Sequence, residues 1–148
     1  MDAVDRALVN ALRMDGRVSF AELARRVGLS APSVHERVAK LETAGVITGY
    51  HAGVAHAALG YTVSALIGVF LSDDADERSV ENKLGQVPEI EDCWFVAGEE
   101  TYVVKVRVTD VPALEQMLGT LNRIGGVART RTTVVLSTKF EDRVQPLD

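Results

Sequence analysis

The stretch from Ser19 to Glu42, SFAELARRVGLSAPSVHERVAKLE, constrains the chain most. It reads as a helix, a tight turn and a second helix. Ser19 stands before the first helix with Glu22 three residues on, the spacing of a capping box. Leu23 and Val27 then share one face, and Gly28 ends the helix where a left-handed residue needs no side chain. Ser30 caps the second helix, and Pro32 lies in its first turn, where a missing N–H costs little. Val34, Val38 and Leu41 make the inward stripe, and Gly45 stops the helix.

Ala24, Gly28 and Val34 fall where a DNA-binding helix-turn-helix needs a small residue, a turn glycine and a buried branched residue. Ser33, His35, Arg37 and Lys40 stand outward between the stripe positions, as residues that meet bases and phosphates would. The same pattern also fits an αα-hairpin with a solvated face.

Charge supports the first alternative locally. The net charge of −5 argues against a generally basic nucleic-acid coat. Residues 1–50, however, carry seven Lys+Arg against six Asp+Glu, and residues 51–148 nine against fifteen. The acidity therefore lies away from the helix-turn-helix. Arg17, Arg25, Arg26, Arg37 and Lys40 form a patch able to neutralise a few phosphates.

Other classes recede. Hydrophobic residues at 47% and charged ones at 25% suit a globular chain, not a disordered one. Cys93 is the sole cysteine, which excludes an intrachain disulfide and a cysteine-based zinc site. Its apolar neighbours Trp94, Phe95 and Val96 predict a buried small hydrophobe. The start lacks a signal-peptide pattern, and the longest apolar run, Ala65 to Leu71, is far short of the ~20 residues of a membrane span. A cytoplasmic protein without a membrane partner is expected. His35, His51 and His56 have no metal-ligand spacing, and no phosphate loop or Ser-His-Asp set is visible, so neither metal nor cofactor is predicted and catalysis is disfavoured.

In order, Asp2–Met14 reads as a further helix, needed to close the small core. Val46–Tyr50 reads as a short strand or small wing, and His51–Gly60 as a linker. From Tyr61 the period changes. Strands are expected over 61–71, 90–97, 102–109 and 127–139, and helices over 76–87 and from Asp110 to Gly125-Gly126. The fold class is thus α+β: an N-terminal winged helix-turn-helix over 1–50, and a C-terminal ferredoxin-like βαββαβ domain over 61–148. The sheet face away from the helices is expected to pair with a second copy.

The order of parts resembles the Lrp/AsnC (leucine-responsive, feast/famine) transcriptional regulators. The resemblance rests on Val4-Asp5-Arg6, Asp15-Gly16-Arg17, Glu22-Leu23-Ala24, Val27-Gly28-Leu29-Ser30, Val34-His35-Glu36-Arg37-Val38 and Gly45-Val46-Ile47. Looser matches follow at Val96, Gly98, Tyr102, Val104-Lys105-Val106, Gly126-Val127 and Thr130-Arg131-Thr132. It implies a homodimer, often assembled to octamers, that binds double-stranded promoter DNA and is modulated by a small amino-acid effector between subunits. The expected DNA contacts are Arg17, Ser19, Arg26, Ser30, Ser33, Val34, His35, Arg37 and Lys40, with Arg37 choosing guanine. The expected effector loop is Gly98, Glu99, Glu100, Thr101 and Tyr102, with Thr130 and Thr132 nearby. The family's Asp before the aromatic is absent from this loop, where Glu99-Glu100-Thr101 precedes Tyr102. A carboxylate here suits an α-ammonium, and the pair also fits a plain polar hairpin tip.

Overall fold

The computed structural model describes residues 1–145. They fall into two compact units: Met1–Gly53 with the segment that begins at Phe140, and Val54–Lys139. The expected second domain, to residue 148, runs past the described residues.

The first unit holds α1 (Ala3–Met14), α2 (Phe20–Val27) and α3 (Ala31–Thr43). Leu8, Leu23, Ala24, Val34 and Val38 form its core, with Val4, Leu12, Val27 and Ile47 packed around it. Capping differs from the sequence expectation in one respect. Ser19 does accept the Glu22 N–H, at 3.2 Å. The Glu22 carboxylate, however, turns away to Arg25 and Arg26, so this capping box is half made. The full box sits at α1, where the side chains of Asp2 and Asp5 each accept the other's backbone N–H.

Gly28 is left-handed (φ 68°), which turns the chain from α2 into the Ser30 cap of α3. At the far end Gly45 is also left-handed (φ 70°). Its N–H reaches the Glu42 carbonyl, and the Val46 N–H reaches that of Leu41, a Schellman closure. This explains a second difference. Val46–Tyr50 forms no strand, because the amides of Val46 and Ile47 are both spent on the Leu41 carbonyl. The wing is an irregular segment, pinned by Ile47 in the core and by the Tyr50 hydroxyl donating to Glu42 at 2.7 Å.

The second unit opens with a 3-10 turn (His56–Leu59), inside the expected linker. It continues as β1 (Val63–Leu71), α4 (Glu77–Leu84), β2 (Ile90–Phe95), β3 (Tyr102–Val108), α5 (Val111–Asn122) and β4 (Val127–Val134). The antiparallel sheet has the order β2-β3-β1-β4, the ferredoxin-like arrangement. Asp76 and Asp110 cap the two helices.

Alternation decides the faces. Ala65, Ile67 and Val69 of β1 and Tyr102, Val104, Val106 and Val108 of β3 are buried with Val80, Leu84, Leu114, Met117 and Leu121 of the helices. The opposite face carries Leu66, Gly68 and Phe70, flanked through the register by Trp94, Val103 and Lys105 on one side and Arg129, Arg131 and Thr133 on the other. β2 is an edge strand, and this corrects the expectation for Cys93. The residue is exposed, because no element among the described residues covers this part of β2, whose Trp94 and Phe95 also stand out at 47% and 70% exposure.

Candidate nucleic-acid interface and effector loop

The interface is built on α3. Its residues advance by 100° each, so Val34, Val38 and Leu41, exposed by no more than 6%, fix which side faces inward. Val34 is fully buried. It packs α3 onto the other helices and does not approach a base, contrary to expectation.

Arg37 also departs from its expected part. Its guanidinium donates to Asp2, the N-cap of α1, and to Asp5 within that helix, each at 2.8 Å. The Asp5 side chain is largely covered, at 18% exposed. These bonds favour the charged partners: they raise the Arg37 pKa, Asp2 before Asp5. The Asp2 carboxyl is lowered, first by the Asp5 backbone N–H and then by Arg37. The most prominent arginine of the recognition helix is thus a tie between helices, not a free hand for guanine.

The remaining expected contacts surround α3. Ser30 accepts the Ser33 N–H at 3.4 Å, and the two hydroxyls lie 2.9 Å apart. His35 packs edge-on against Phe20 of α2, ring centroids 5.1 Å apart. Lys40 is exposed and pairs with Glu36 at 2.7 Å. Arg17 is exposed just before α2, its N–H held by Asp15 at 2.9 Å. Arg26 shares the Glu22 carboxylate with Arg25, each at 2.8 Å. Those two hydrogen bonds, Arg25's the larger cause, pull the Glu22 carboxyl from 4.5 to about 2. Glu36 stands at the middle of the outward face, a carboxylate among the expected donors and cations. Its place follows from the period itself, which sets it opposite Val34, Val38 and Leu41.

The expected effector residues fall on both faces of the sheet. The Glu100 carboxylate lies over Gly68 on the face away from the helices and is bonded by Arg131. Glu99 reaches Arg131 at 3.5 Å and is 78% exposed. The Thr101 N–H donates to the Val69 carbonyl, fixing the hairpin against β1. Tyr102, 3% exposed, is a core residue whose hydroxyl donates to the Glu77 carbonyl at 3.4 Å. It anchors the loop and offers no ligand surface. Thr130 and Thr132 pair with Val69 and Ile67, so they share the helix side of the sheet, and the Thr130 hydroxyl donates to Asn122 of α5 at 3.3 Å. The seven residues therefore divide between the two faces, for a sequence count cannot show which way a loop folds back.

A cavity of about 570 Å³ opens elsewhere in this unit, lined by Tyr61, Glu91, Arg107, Gln116, Met117 and Thr120 among others. Arg107 Nε donates to Glu91 at 2.6 Å across one wall. Among the described residues no group of three or more His, Cys, Asp or Glu side chains is placed to hold a metal ion. No helix among them is long and apolar enough to cross a membrane.

A helix-turn-helix with a polar outward face, joined in one chain to a ferredoxin-like domain, defines a DNA-binding transcriptional regulator rather than an enzyme. The chain belongs to the Lrp/AsnC family: residues 1–42 match the AsnC-type helix-turn-helix domain, and residues 64–145 the Lrp/AsnC ligand binding domain. It is 41% identical to the HTH-type transcriptional regulator LrpA of Mycobacterium tuberculosis over 143 residues, 97% of this chain and 95% of that one. It is similar to the feast or famine regulatory protein of M. tuberculosis complexed with L-methionine, at 40% identity and a TM-score of 0.92 over 97% of both chains. The structure of Escherichia coli AsnC is also similar, at 31% identity and a TM-score of 0.90 over 99% of both chains.

Proposed function

We propose that this chain binds promoter DNA sequence-specifically, regulates genes of amino-acid metabolism, and responds to an amino-acid effector held between subunits of its C-terminal domain. The observation that carries the DNA half is the α2–Gly28–α3 unit. Ala24 at 6% exposure lets the two helices close, and the closed pair presents Ser33, Glu36 and Lys40 together on the outward side of α3. A homodimer places two copies of α3 in successive major grooves, so the operator is a rough palindrome. Residues 1–50 read DNA, and 61–148 bind effector and assemble subunits. Arg17, Arg26 and Lys40 meet phosphates, Ser19 and Ser30 present helix N-termini to them, and Ser33 and His35 approach bases.

The M. tuberculosis relative bound to L-methionine supports an amino acid as effector. Leu66 and Trp94, exposed by 42% and 47% on the open sheet face, support pairing with a second copy, and further assembly brings effector loops of different dimers together. Arg131 bonds the largely covered Glu100 and reaches Glu99 only at 3.5 Å, so the 78% exposed Glu99 is the carboxylate that meets the effector's ammonium, beside the backbone of Gly98 and Thr101. Effector binding then favours one arrangement of dimers over another.

Fluorescence anisotropy on the DNA upstream of the protein's own gene tests both halves, at two salt concentrations and with each of the twenty amino acids. Binding should weaken steeply with salt, and one or a few amino acids should shift it several-fold. Binding equally insensitive to salt and to every amino acid would leave a protein-interaction module in its place.

A further inference from the structure

The outward surface of α3 has an acid at its centre. Val34, Val38 and Leu41 define the inward side, and the helical period then sets Ser33, Glu36 and Lys40 on the opposite one. Both flanking residues also make contacts within the unit. His35 is packed against Phe20 on the α2 side, and Arg37 is tied to Asp2 and Asp5 on the α1 side. Glu36 projects between them with its side chain 69% exposed.

A carboxylate is an unusual group to offer to DNA. Phosphates repel it, so it adds nothing to general affinity. Ionised, it accepts hydrogen bonds and donates none. It is ionised at neutral pH as any exposed glutamate is, and a hydrogen bond from Lys40 at 2.7 Å holds the carboxyl further below its usual range. That bond is an exposed i,i+4 pair, a weak tie that a groove edge can replace. In the major groove guanine N7 and O6 and thymine O4 are acceptors that would face the carboxylate with like polarity. The cytosine N4 amine is a donor with no acceptor on cytosine's own groove edge. Adenine pairs its amine with N7 and is better matched by an amide.

On the reading that α3 enters the major groove, we infer that Glu36 is a specificity-determining residue that selects cytosine at one position of each operator half-site. Arg37 is a positioning residue that sets the angle of α3 from behind. Lys40, released when Glu36 turns to the base, is then free for the adjacent phosphate.

The test is selection of binding sites from a duplex pool with a randomised segment, using the full-length protein and two variants. Wild type should enrich a site with one fixed cytosine per half-site, preferred roughly tenfold or more over other bases. Glu36→Ala should lose that preference while keeping the rest of the site, and should bind random DNA at least as tightly, having shed a repulsive charge. Glu36→Gln should move the preference toward adenine. Because Glu36 is exposed, the circular dichroism of all three should coincide. A cytosine retained by Glu36→Ala would overturn the role of Glu36 while leaving sequence-specific DNA binding intact. No enriched site and no salt-sensitive binding by wild type would overturn the DNA reading, and this inference with it.

Discussion

Arg37 of α3 and Asp5 of α1 stand 32 residues apart in sequence and meet at 2.8 Å, with Asp2 bonded to the same guanidinium nitrogen at the same distance. Asp2 and Asp5 are also the two halves of the α1 capping box. One cluster thus starts the first helix and fixes the third.

Arg37→Met is therefore expected to act on stability first. It leaves the Asp2 and Asp5 carboxylates facing each other without the Arg37 guanidinium, so the melting temperature should fall by a few degrees, and Asp5→Asn should fall with it. The double variant should lose less than the two single losses combined, because the partners share one interaction. The enriched operator of Arg37→Met should keep the wild-type bases. Thermal unfolding followed by circular dichroism, beside site selection, checks this. A changed operator at unchanged melting temperature would restore Arg37 to the base-reading set.

Ala24 sets how closely α2 approaches α3. It is 6% exposed and shares its cluster with Val34 and Val38. Ala24→Leu adds three heavy atoms where the packing has no room, an overpacking that costs roughly 1–3 kcal/mol. The helices must separate, so DNA affinity should fall even under conditions where the variant is folded. Urea denaturation and anisotropy together measure the two effects. Full affinity in Ala24→Leu would show that the spacing of α2 and α3 does not matter for binding.

Much of this was legible in the sequence, and the reasons are local. Gly28, Pro32 and Asp110 announce helix ends through chemistry within a few residues, and the buried Val104, Val106 and Val108 announce themselves by alternation. The illegible parts depend on distant partners. Arg37 was read as a free cation because nothing near it in sequence reveals Asp2 and Asp5. Glu100 reads in sequence as an effector-binding carboxylate, or alternatively a polar hairpin tip, because its partner Arg131 is 31 residues away. Cys93 has a core-like neighbourhood in sequence, and its exposure follows from β2 lying at the sheet edge, which the order of strands alone decides.

The Glu22 cluster predicts an acid-side response. The carboxyl titrates at about 2 in the folded chain against an ordinary 4.5, through its bonds to Arg25 and Arg26. Since the folded value is depressed, the unfolded chain takes up the proton first as pH falls. The contribution is fully present above about pH 5 and is lost between there and about pH 2. Asp2, also depressed, acts in the same direction. Melting temperatures of wild type and Glu22→Gln should differ near neutral pH and converge toward pH 2, and the difference should shrink in high salt. A gap that stayed constant with pH would mean that the ion pairs to Arg25 and Arg26 contribute nothing to folding.

Gly68 and Glu100 share one space. A Cβ on Gly68 would lie 2.5 Å from Glu100 Cγ, so the strand has room for the Glu100 side chain only because residue 68 has none. Gly68→Ala must push the Glu100 side chain off the strand and away from Arg131, so stability should fall in the wild-type background. In a Glu100→Ala background the obstacle is gone. The same change should then be neutral, or stabilising by up to about 1 kcal/mol, since glycine within a strand is itself unfavourable by that order. Urea denaturation of the four proteins closes the cycle. Equal effects of Gly68→Ala in both backgrounds would show that Glu100 does not rest over β1 in solution. The amino-acid response then separates the two carboxylates: with Glu99 as the ammonium's partner, Glu99→Gln should weaken the effect on DNA binding more than Glu100→Gln does.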